Sequence, residues 1–368
     1  MTESPMPTTT SAAIPASDVA WKFLLTTLEN LAGIVRSDAR DSRELLEGHR
    51  VLTRVLALCS ELTVDVDPDA PRFFPMTTPL RQVGGPNPDG EYDLCTLVPG
   101  RGYRIVGYRN TATYIGFQIM GGTGLTPRRS AVYVSDRDLV LDADGRFELV
   151  LATEDPGLPG TWVPIPSDAS AIVARQYIGD YGTEQLAAYT IETLDAAGPI
   201  PELDDATFAD QLTALTWTAV KLMTLHRTVA PDLLNRPNEL ITAEPATLGS
   251  ENTTPDNLYM LGMFDLEPEQ ALQLDITPPD TRYWSVALEN IWHECLEPHR
   301  RKSSVTNKGV TPRADGTVRL VIAGRDPGVP NWLDTGDRSR GFVLLRWLDH
   351  PIAPDVQVRV VPIAEVTA

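Results

Sequence analysis

The chain has few cysteines, no long apolar run and no excess of positive charge. Its three cysteines, Cys59, Cys95 and Cys295, are scattered over 368 residues. Such a sparse, odd set argues against a disulfide framework and favours a reducing cytoplasm. No apolar run approaches the roughly 20 residues that span a bilayer. The formal net charge of −19 repels phosphate backbones and anionic lipid surfaces, so neither nucleic acid nor a membrane is an expected partner.

The N-terminal segment also lacks a signal. Residues 1–17 have neither a basic start nor an apolar stretch, and both are features of a signal peptide. The segment is rich in Thr, Ser, Pro and Ala, which predicts a disordered tail. The whole chain is 42% hydrophobic and 22% charged, which is typical of a globular protein. We therefore expect a soluble, cytoplasmic protein that is long enough for two cores.

Helical spacing of apolar residues occurs in two places. Residues 18–62 and a segment within 181–237 carry apolar positions at alternating steps of four and three, which predicts N-terminal helices and a helical insert. His49 and His226 fall on these apolar stripes. A histidine in that position packs in a core beside a carbonyl or carboxylate or, if the helices cover a β-domain, lines a pocket.

The remaining segments have the pattern of β-structure. Over residues 63–180 and 238–368, short β-branched and aromatic runs alternate with Gly, Pro, Asn and Asp, which predicts two β-domains. Residues 85–178 and 252–348 are moreover two copies of one unit. Motifs match in the same order at offsets that drift only from 167 to 171. The matches are Pro88-Asp89-x-x-Tyr92 with Pro255-Asp256-x-x-Tyr259, Tyr114 with Tyr283, Asp155-Pro156-Gly157 with Asp326-Pro327-Gly328, and Arg175 with Arg346.

This internal duplication predicts the fold class. We expect a mainly β, α+β protein of two tandem antiparallel β-domains of sandwich or jelly-roll type, with helices packed around them and the two units facing each other across a pseudo-twofold axis. Asp144-Gly145 and Asp315-Gly316 predict tight hairpins. Because Asp-Pro-Gly favours β-turns, Asp155 and Asp326 are interpreted as turn formers and not as catalytic acids.

The second copy contains two long, specific strings, Arg282-Tyr-Trp-Ser-Val-Ala-Leu288 and Arg325-Asp-Pro-Gly-Val-Pro-Asn-Trp-Leu-Asp334. Over roughly residues 252–350 it resembles the bacterial family catalogued as domain of unknown function 1214. The first copy, through Gly85-Pro-Asn-Pro-Asp89 and Tyr92, resembles more loosely the companion domain 1254. The resemblance implies two β-domains with added helices and an uncharacterised activity, and it supplies no catalytic residues.

The loop after the strand that ends near Ile291 is the strongest candidate for chemistry. It carries His293 and Glu294 beside Glu289, whereas the first copy has a glycine-rich segment after Met120. A histidine near a carboxylate can act as a general base at neutral pH. We predict His293 as the proton-transfer group with Glu289 or Glu294 as its partner. The alternative is a solvated polar loop.

Two other reactions are weaker candidates for this loop. His293, Glu297 and His299 match no established metal-ligand spacing, so no metal is expected. No cofactor motif is found. Cys295 as a nucleophile would need a lowered pKa from a neighbouring histidine or a helix N-terminus.

A second set of residues is predicted to bind a ligand. Its amides, carboxylates and phenols could bind hydroxyl groups or cap turns, and its aromatic rings could form a pocket wall or fill a core. The set comprises Asn87, Asp89, Asp256, Asn257, Tyr259, Tyr283, Trp292 and Trp332.

The sequence leaves two functions open. The first is an enzyme, for example a hydrolase, that acts on a small hydroxylated or amphipathic molecule in a cleft of the second β-domain. The second is a non-catalytic ligand-binding or accessory protein. Assembly into a homo-oligomer is left open in both.

Overall fold

The computed structural model describes residues 14–367 apart from 123–125, 127, 197, 199–201, 230, 244–247 and 249–252. Within these residues the chain forms four α-helices and two sets of nine strands. The helices are α1 (Ala16–Asp38), α2 (Ser42–Thr63), α3 (Asp205–Met223) and α4 (Leu225–Thr228).

The first set of strands builds the first β-domain. These strands are β1 (Phe74–Pro75), β2 (Gly90–Thr96), β3 (Tyr103–Tyr108), β4 (Tyr114–Gly121), β5 (Arg129–Ser135), β6 (Arg146–Ala152), β7 (Thr161–Pro164), β8 (Ala169–Tyr177) and β9 (Ala188–Thr193).

The second set builds the second β-domain. These strands are β10 (Leu240–Ala243), β11 (Asn257–Asp265), β12 (Gln270–Ile276), β13 (Trp284–Glu289), β14 (Ser304–Thr306), β15 (Val318–Ala323), β16 (Trp332–Asp334), β17 (Arg340–Leu348) and β18 (Val356–Pro362).

The two sets have the same topology. In the first, a five-stranded sheet of order β1-β2-β8-β4-β5 packs against a four-stranded sheet of order β7-β6-β3-β9. In the second, the orders are β10-β11-β17-β13-β14 and β16-β15-β12-β18. Each strand of one set has its counterpart at the same place in the other. The predicted duplication and the predicted pair of β-sandwiches are confirmed.

Each sandwich has its own apolar core between its two sheets. Phe117, Phe147 and Ile172 are fully buried in the first core, and Val286 and Trp347 are fully buried in the second. Alternation along each strand sends every second side chain into the core. Burial of these side chains is the main stabilising contribution to each sandwich.

Two predictions about strand connections need correction. The Asp-Gly pairs do not join two paired strands, because β5 and β6 lie in different sheets. Gly145, with a positive φ of 77°, instead lies in a tight turn just before β6, where its N–H donates to the Asp142 carbonyl at 3.1 Å. Strand β7 also runs parallel to β6, as β16 does to β15. The Asp-Pro-Gly prediction holds, since the Asp155 and Asp326 carboxylates each accept the N–H two residues later at 2.8 Å.

The helices pack together over one side of the β-domains. Helix α1 starts at Ala16, within the segment predicted as a tail, because the Asp205 carboxylate accepts its backbone N–H at 2.8 Å; residues 1–13 lie outside the described part of the chain. The interval 181–237 holds strand β9 before α3 and α4. No helix in the described residues has the length and apolar character needed to cross a membrane.

The position of His49 differs from its prediction. It is exposed, whereas Glu44 and Glu47 on the same helix are buried. Arg340 and Arg338 of the second copy neutralise these carboxylates with N–O contacts of 2.7 and 2.6 Å. The buried face of α2 therefore includes two charged residues, Glu44 and Glu47, which the spacing of apolar residues does not reveal.

Candidate functional site

A large cavity lies between the two five-stranded sheets and helices α2 and α3. Its volume is about 1530 Å³, above the roughly 300–1,000 Å³ of common small-molecule pockets. Side chains of β2 and β8 line it from the first copy, and side chains of β11 and β17 line it from the second. The cavity is therefore built jointly by both copies and by the helices that cover them.

Strand alternation explains how one sheet serves both a core and a cavity. On β8, Val173 and Arg175 line the cavity, whereas Ile172 and Ala174 pack in the core of the first sandwich. Successive side chains of a strand point to opposite faces. The strand is buried on both faces for this reason.

The cavity wall contains many apolar side chains. Leu58 and Leu62 contribute from α2, Phe208 from α3, Leu94 from β2 and Leu261 from β11. An apolar molecule gains free energy when such a wall replaces water around it. The wall thus favours a ligand with a substantial apolar part.

Two arginines at equivalent positions line the same cavity. Arg175 on β8 and Arg346 on β17 are only 5% and 2% exposed. Arg175 lies over the ring of its cross-strand neighbour Tyr92 at 5.9 Å, and Arg346 lies over Tyr259 at 6.0 Å. These contacts are cation–π interactions, repeated in each copy.

The two guanidinium groups differ in their hydrogen bonds. Arg175 donates to the Gln118 side-chain oxygen, and Nη2 of Arg346 donates to the Gly85 carbonyl at 2.8 Å. Nη1 of Arg346 has no partner among the described residues. Burial opposes a charge on Arg346, but the nearby Tyr92 and Tyr259 help to raise its pKa above the usual value. Arg346 is therefore a permanent buried cation.

His293 and Glu289 form a buried pair beside Arg346. His293 lines the cavity, and its Nδ1 lies 2.8 Å from Oε2 of Glu289. The ring stacks on Phe342 with centroids 4.2 Å apart. In a neutral imidazole, an Nδ1–H that donates to this carboxylate leaves Nε2 as the acceptor. Nε2 has no hydrogen-bond partner among the described residues.

The loop backbone holds the His293 ring in place. His293 has a positive φ of 55°, which is uncommon for a residue other than glycine. Its N–H donates to the Asn290 carbonyl at 3.1 Å, and its carbonyl accepts from Gly85 at 2.9 Å. The turn therefore fixes the histidine between the loop before β2 and the end of β13.

Glu294, the other predicted partner of His293, binds elsewhere. Its carboxylate accepts from Arg50 at 2.7 Å and from Arg54, both on α2. Asn290 donates to it at 3.3 Å. Glu294 therefore ties the loop to the helices, and Glu289 is the carboxylate that contacts the histidine.

Several of the predicted ligand-binding residues lie in the seam between the copies. Asn87 donates to the Tyr283 hydroxyl at 2.6 Å. The Thr254 and Tyr177 hydroxyls are 2.6 Å apart, and Asn257 donates to Tyr177 at 3.0 Å. These groups contact partners in the opposite copy, and of the five residues Thr254 alone also lines the cavity. They link the two sandwiches by hydrogen bonds.

The two equivalent aspartates of the predicted set also lie near this seam. Asp256 accepts from the hydroxyls of Tyr133 at 3.1 Å and Tyr114 at 3.3 Å. Burial raises the pKa of Asp89 to about 6, and nearby Arg346 limits that rise. Oδ2 of Asp89 has no partner among the described residues. The two positions thus have different environments despite the duplication.

The two predicted tryptophans pack within the protein and each donates a hydrogen bond to a backbone carbonyl. Trp292 packs in the helical core and donates to the Glu44 carbonyl at 2.9 Å. Trp332 donates to the Ala323 carbonyl at 3.1 Å in the four-stranded sheet. Neither residue lines the cavity. Of the predicted ligand-binding set, Tyr259 lines it.

Two further candidate groups have non-catalytic environments. Burial raises the pKa of the Cys295 thiol well above its usual value, which opposes thiolate formation and a nucleophilic role. His226 is buried with its Nε2 2.7 Å from the Asp38 carboxylate. It matches the interpretation of a core histidine bonded to a carboxylate.

The arginine pair is the part of the site that residue patterns did not single out. The repeat pairs Arg175 with Arg346, but its spacing predicts no function for either residue. The available signal is an arginine at the seventh position of a largely apolar nine-residue strand in both copies. A central strand buries its side chains on both faces, so a charged residue there needs a special partner.

The fold and the cavity define a class of protein: two duplicated β-sandwiches with a helix-covered chamber between them. Residues 265–351 match the family described as a protein of unknown function (DUF1214). The predicted resemblance of the second half is confirmed. The resemblance of the first half to domain 1254 lies outside this match and stays a prediction.

Solved structures show the same fold. An uncharacterised protein from Burkholderia cenocepacia is 29% identical, and the match covers 95% of this chain and 98% of that one with a TM-score of 0.89. A structural-genomics target from Vibrio parahaemolyticus is 13% identical, with coverage of 91% and 100% and a TM-score of 0.50. No curated protein sequence matches the chain. These neighbours establish the fold class and describe no activity.

Proposed function

We propose that the protein binds an amphipathic small molecule in the cavity between the two copies. The carrying observation is the cavity itself: about 1530 Å³ of space with an apolar wall and a cluster of buried polar groups. A pocket with this division favours a ligand that has an apolar body and a polar end. The ligand site that we propose is therefore formed by both copies, and not by the second β-domain alone.

The shape of the cavity supports an elongated ligand. Residues of α3 from Thr207 to Leu222 line it. At about 1.5 Å per residue, that stretch of helix is roughly 22 Å long. A chain-like molecule that lies along α3 would use the apolar wall over this length.

Binding of a neutral apolar fluorophore tests the proposal without assuming the ligand's charge. N-phenyl-1-naphthylamine should bind saturably to the full chain and brighten. Ala214 lines the cavity from α3, so Ala214→Trp should weaken binding at least tenfold by filling the space. Ala206 is exposed on the same helix and is not part of the lining, which makes Ala206→Trp the matched control. No saturable binding, or equal affinity in both variants, would overturn the proposal.

A second candidate function is catalysis on the bound molecule. The observation that favours it is the 2.8 Å contact between Nδ1 of His293 and Glu289, with Nε2 unpartnered among the described residues. The carboxylate holds the imidazole in the tautomer whose Nε2 accepts a proton, as a general base requires. Proton abstraction from a hydroxyl or a water, as in ester hydrolysis, fits this arrangement.

Turnover of a panel of amphipathic esters and alcohols separates catalysis from binding alone. His293→Ala should abolish turnover while the fluorophore still binds. His299→Ala is the control, because His299 is exposed on the same loop. Unchanged turnover in His293→Ala removes the residue from the mechanism. Saturable binding with no turnover across the panel favours the non-catalytic alternative.

A further inference from the structure

Arg175 and Arg346 are buried arginines without an ion-pair partner among the described residues. Among the described residues, no carboxylate lies within the 4.0 Å of an ion pair to either Arg175 or Arg346, although both side chains are at least nine-tenths buried. A buried charge is costly unless it is paired and hydrogen-bonded. Two buried cations, one from each copy, therefore line the cavity, and no carboxylate of the described residues forms an ion pair with either.

From this arrangement we infer that the ligand carries an anionic head group, bound by Arg346 with help from Arg175. The inference rests on the proposed function and specifies its substrate class: an amphiphile that ends in a carboxylate, phosphate or sulfate. A guanidinium group presents planar N–H donors that match such oxyanions. Nη1 of Arg346, which has no partner among the described residues, is the first such donor.

The tyrosines next to the arginines add donors of the same kind. The Tyr92 hydroxyl accepts the Asn87 N–H at 3.0 Å, and the Tyr259 hydroxyl accepts the Thr254 N–H at 2.9 Å. Both tyrosines line the cavity. A hydroxyl that accepts a backbone N–H keeps its own hydrogen for another acceptor. Burial raises the pKa of Tyr92, so this hydroxyl stays protonated. The site is thus rich in donors.

Negative groups near Arg346 do not replace the head group. Glu289 acts on the arginine through space, but its Oε2 contacts His293 and its Oε1 has no hydrogen-bond partner among the described residues. Asp89 also acts on it without a contact, and its raised pKa reflects an unfavourable place for a negative charge. Glu294 is held by arginines of α2. None of the three forms an ion pair with Arg346.

The rest of the cavity indicates which way the ligand lies. Asp67, Glu202 and Asp210 line the end formed by the exit of α2 and the start of α3. These carboxylates repel an anionic head. The strands carry the arginines and tyrosines away from that end. The head group is therefore expected at Arg346, with the apolar body directed along α3.

The test compares matched amphiphiles that differ in the head group. Dodecanoate, dodecyl phosphate and 1-dodecanol are each titrated against full-length protein with bound N-phenyl-1-naphthylamine at pH 8. We expect at least one of the two anions to displace the fluorophore at a concentration tenfold or more below that of the alcohol. Which anion binds tighter identifies the head group. Equal displacement by all three overturns the inference and leaves the proposed cavity intact, whereas failure of the fluorophore to bind overturns the proposed function first.

Variants of the arginines locate the effect. Arg346→Gln should lower the affinity for the preferred anion tenfold or more and leave the alcohol within about threefold. Arg175→Gln should have a smaller effect in the same direction. Arg346→Lys keeps the charge and should restore part of the preference, which also covers the case in which the glutamine variant fails to fold. Arg300→Gln, at an exposed residue outside the cavity, is the control. Loss of anion and alcohol binding by the same factor in a folded Arg346→Gln would contradict the inference.

Discussion

The two copies share their strands and differ in one loop. Nine strands in the same order place a Tyr–Arg pair on the cavity wall of each half. The His293–Glu289 pair belongs to the second half alone, where Glu289 occupies the position that Met120 has in the first half. Duplication therefore explains the arginine and tyrosine that each half places on the cavity wall, and divergence of one loop explains why Glu289 and His293 pair in the second half. The repeated strands and the unrepeated helices α2 and α3 together line the cavity, and the unrepeated loop makes its two sides chemically different.

The largest expected difference between the copies is in the stability lost when an equivalent core side chain is truncated. Phe147 in the first core is equivalent to Val318 in the second, and both are about 1% exposed. Phe147→Ala should lower the free energy of unfolding by about 4 kcal/mol, and Val318→Ala by about 2 kcal/mol, because the larger side chain leaves the larger cavity. Urea unfolding monitored by fluorescence and by circular dichroism measures both values.

The same experiment tests whether the copies unfold together. The buried contacts between Asn87 and Tyr283, and between Thr254 and Tyr177, predict one cooperative transition for both variants. Coincident curves from the two probes would agree with this. Two separate transitions in Phe147→Ala would break the comparison, since the halves would then be independent units.

A smaller effect is expected from the equivalent aspartates Asp89 and Asp256. Burial raises the folded-state pKa of Asp89 to about 6, from about 3.9 in an unfolded chain. The protonated form is the favoured one in the fold, so the contribution of Asp89 to stability is fully present below pH 4 and is lost as pH rises through 6. Asp89→Asn should therefore stabilise the protein by about 2 kcal/mol at pH 7 and by little at pH 4.

Asp256 provides the comparison for this pH effect. Burial raises the pKa of Asp256 as well, but the Tyr133 hydroxyl donates to it and favours its charged form. Asp256→Asn replaces the charged acceptor of that hydrogen bond by a neutral amide oxygen, which weakens the contact, and should therefore stabilise less than Asp89→Asn. Urea midpoints at pH 4 and pH 7 for both variants measure the difference. A stabilisation by Asp89→Asn that is the same at both pH values would refute the assignment.

The smallest expected effect is one that the copies share. Gly145 and Gly316 lie in equivalent turns just before β6 and β15, with φ of 77° and 85°, and a Cβ at either would meet nothing within 4 Å. Each Gly→Ala change should thus cost about 1 kcal/mol, from backbone strain alone. Thermal unfolding of the two variants should show equal shifts. Unequal shifts would mean that the two turns have diverged more than their backbones indicate.

Much of this architecture could be predicted from the residues. The repeat of motifs such as Pro88-Asp89 and Pro255-Asp256 is a local signal, and so is the apolar spacing of α3. His293 and a nearby carboxylate could be singled out because one copy has them and the other has glycines. The choice of Glu289 over Glu294 could not, since both are close in sequence and only the three-dimensional contacts of Arg50 and Arg54 distinguish them.

The cavity itself depends on long-range packing. Arg175 and Arg346 are 171 residues apart and line the same cavity, which no local pattern describes. Asn87 and Tyr283, which have the chemistry of ligand-binding groups, instead satisfy each other 196 residues apart. Polar residues near a duplicated motif can serve the junction as readily as a ligand, and sequence spacing alone does not separate the two uses.

Because β8 and β17 bring walls from both copies to one chamber, occupancy and folding are thermodynamically linked. A ligand that contacts both Arg175 and Arg346 binds the folded chain and not the unfolded one. Its binding free energy is therefore added to the free energy of unfolding of both sandwiches. At a ligand concentration of a hundred times Kd, that linkage amounts to about 2.7 kcal/mol. Saturation would raise the melting temperature of the whole chain as a single unit.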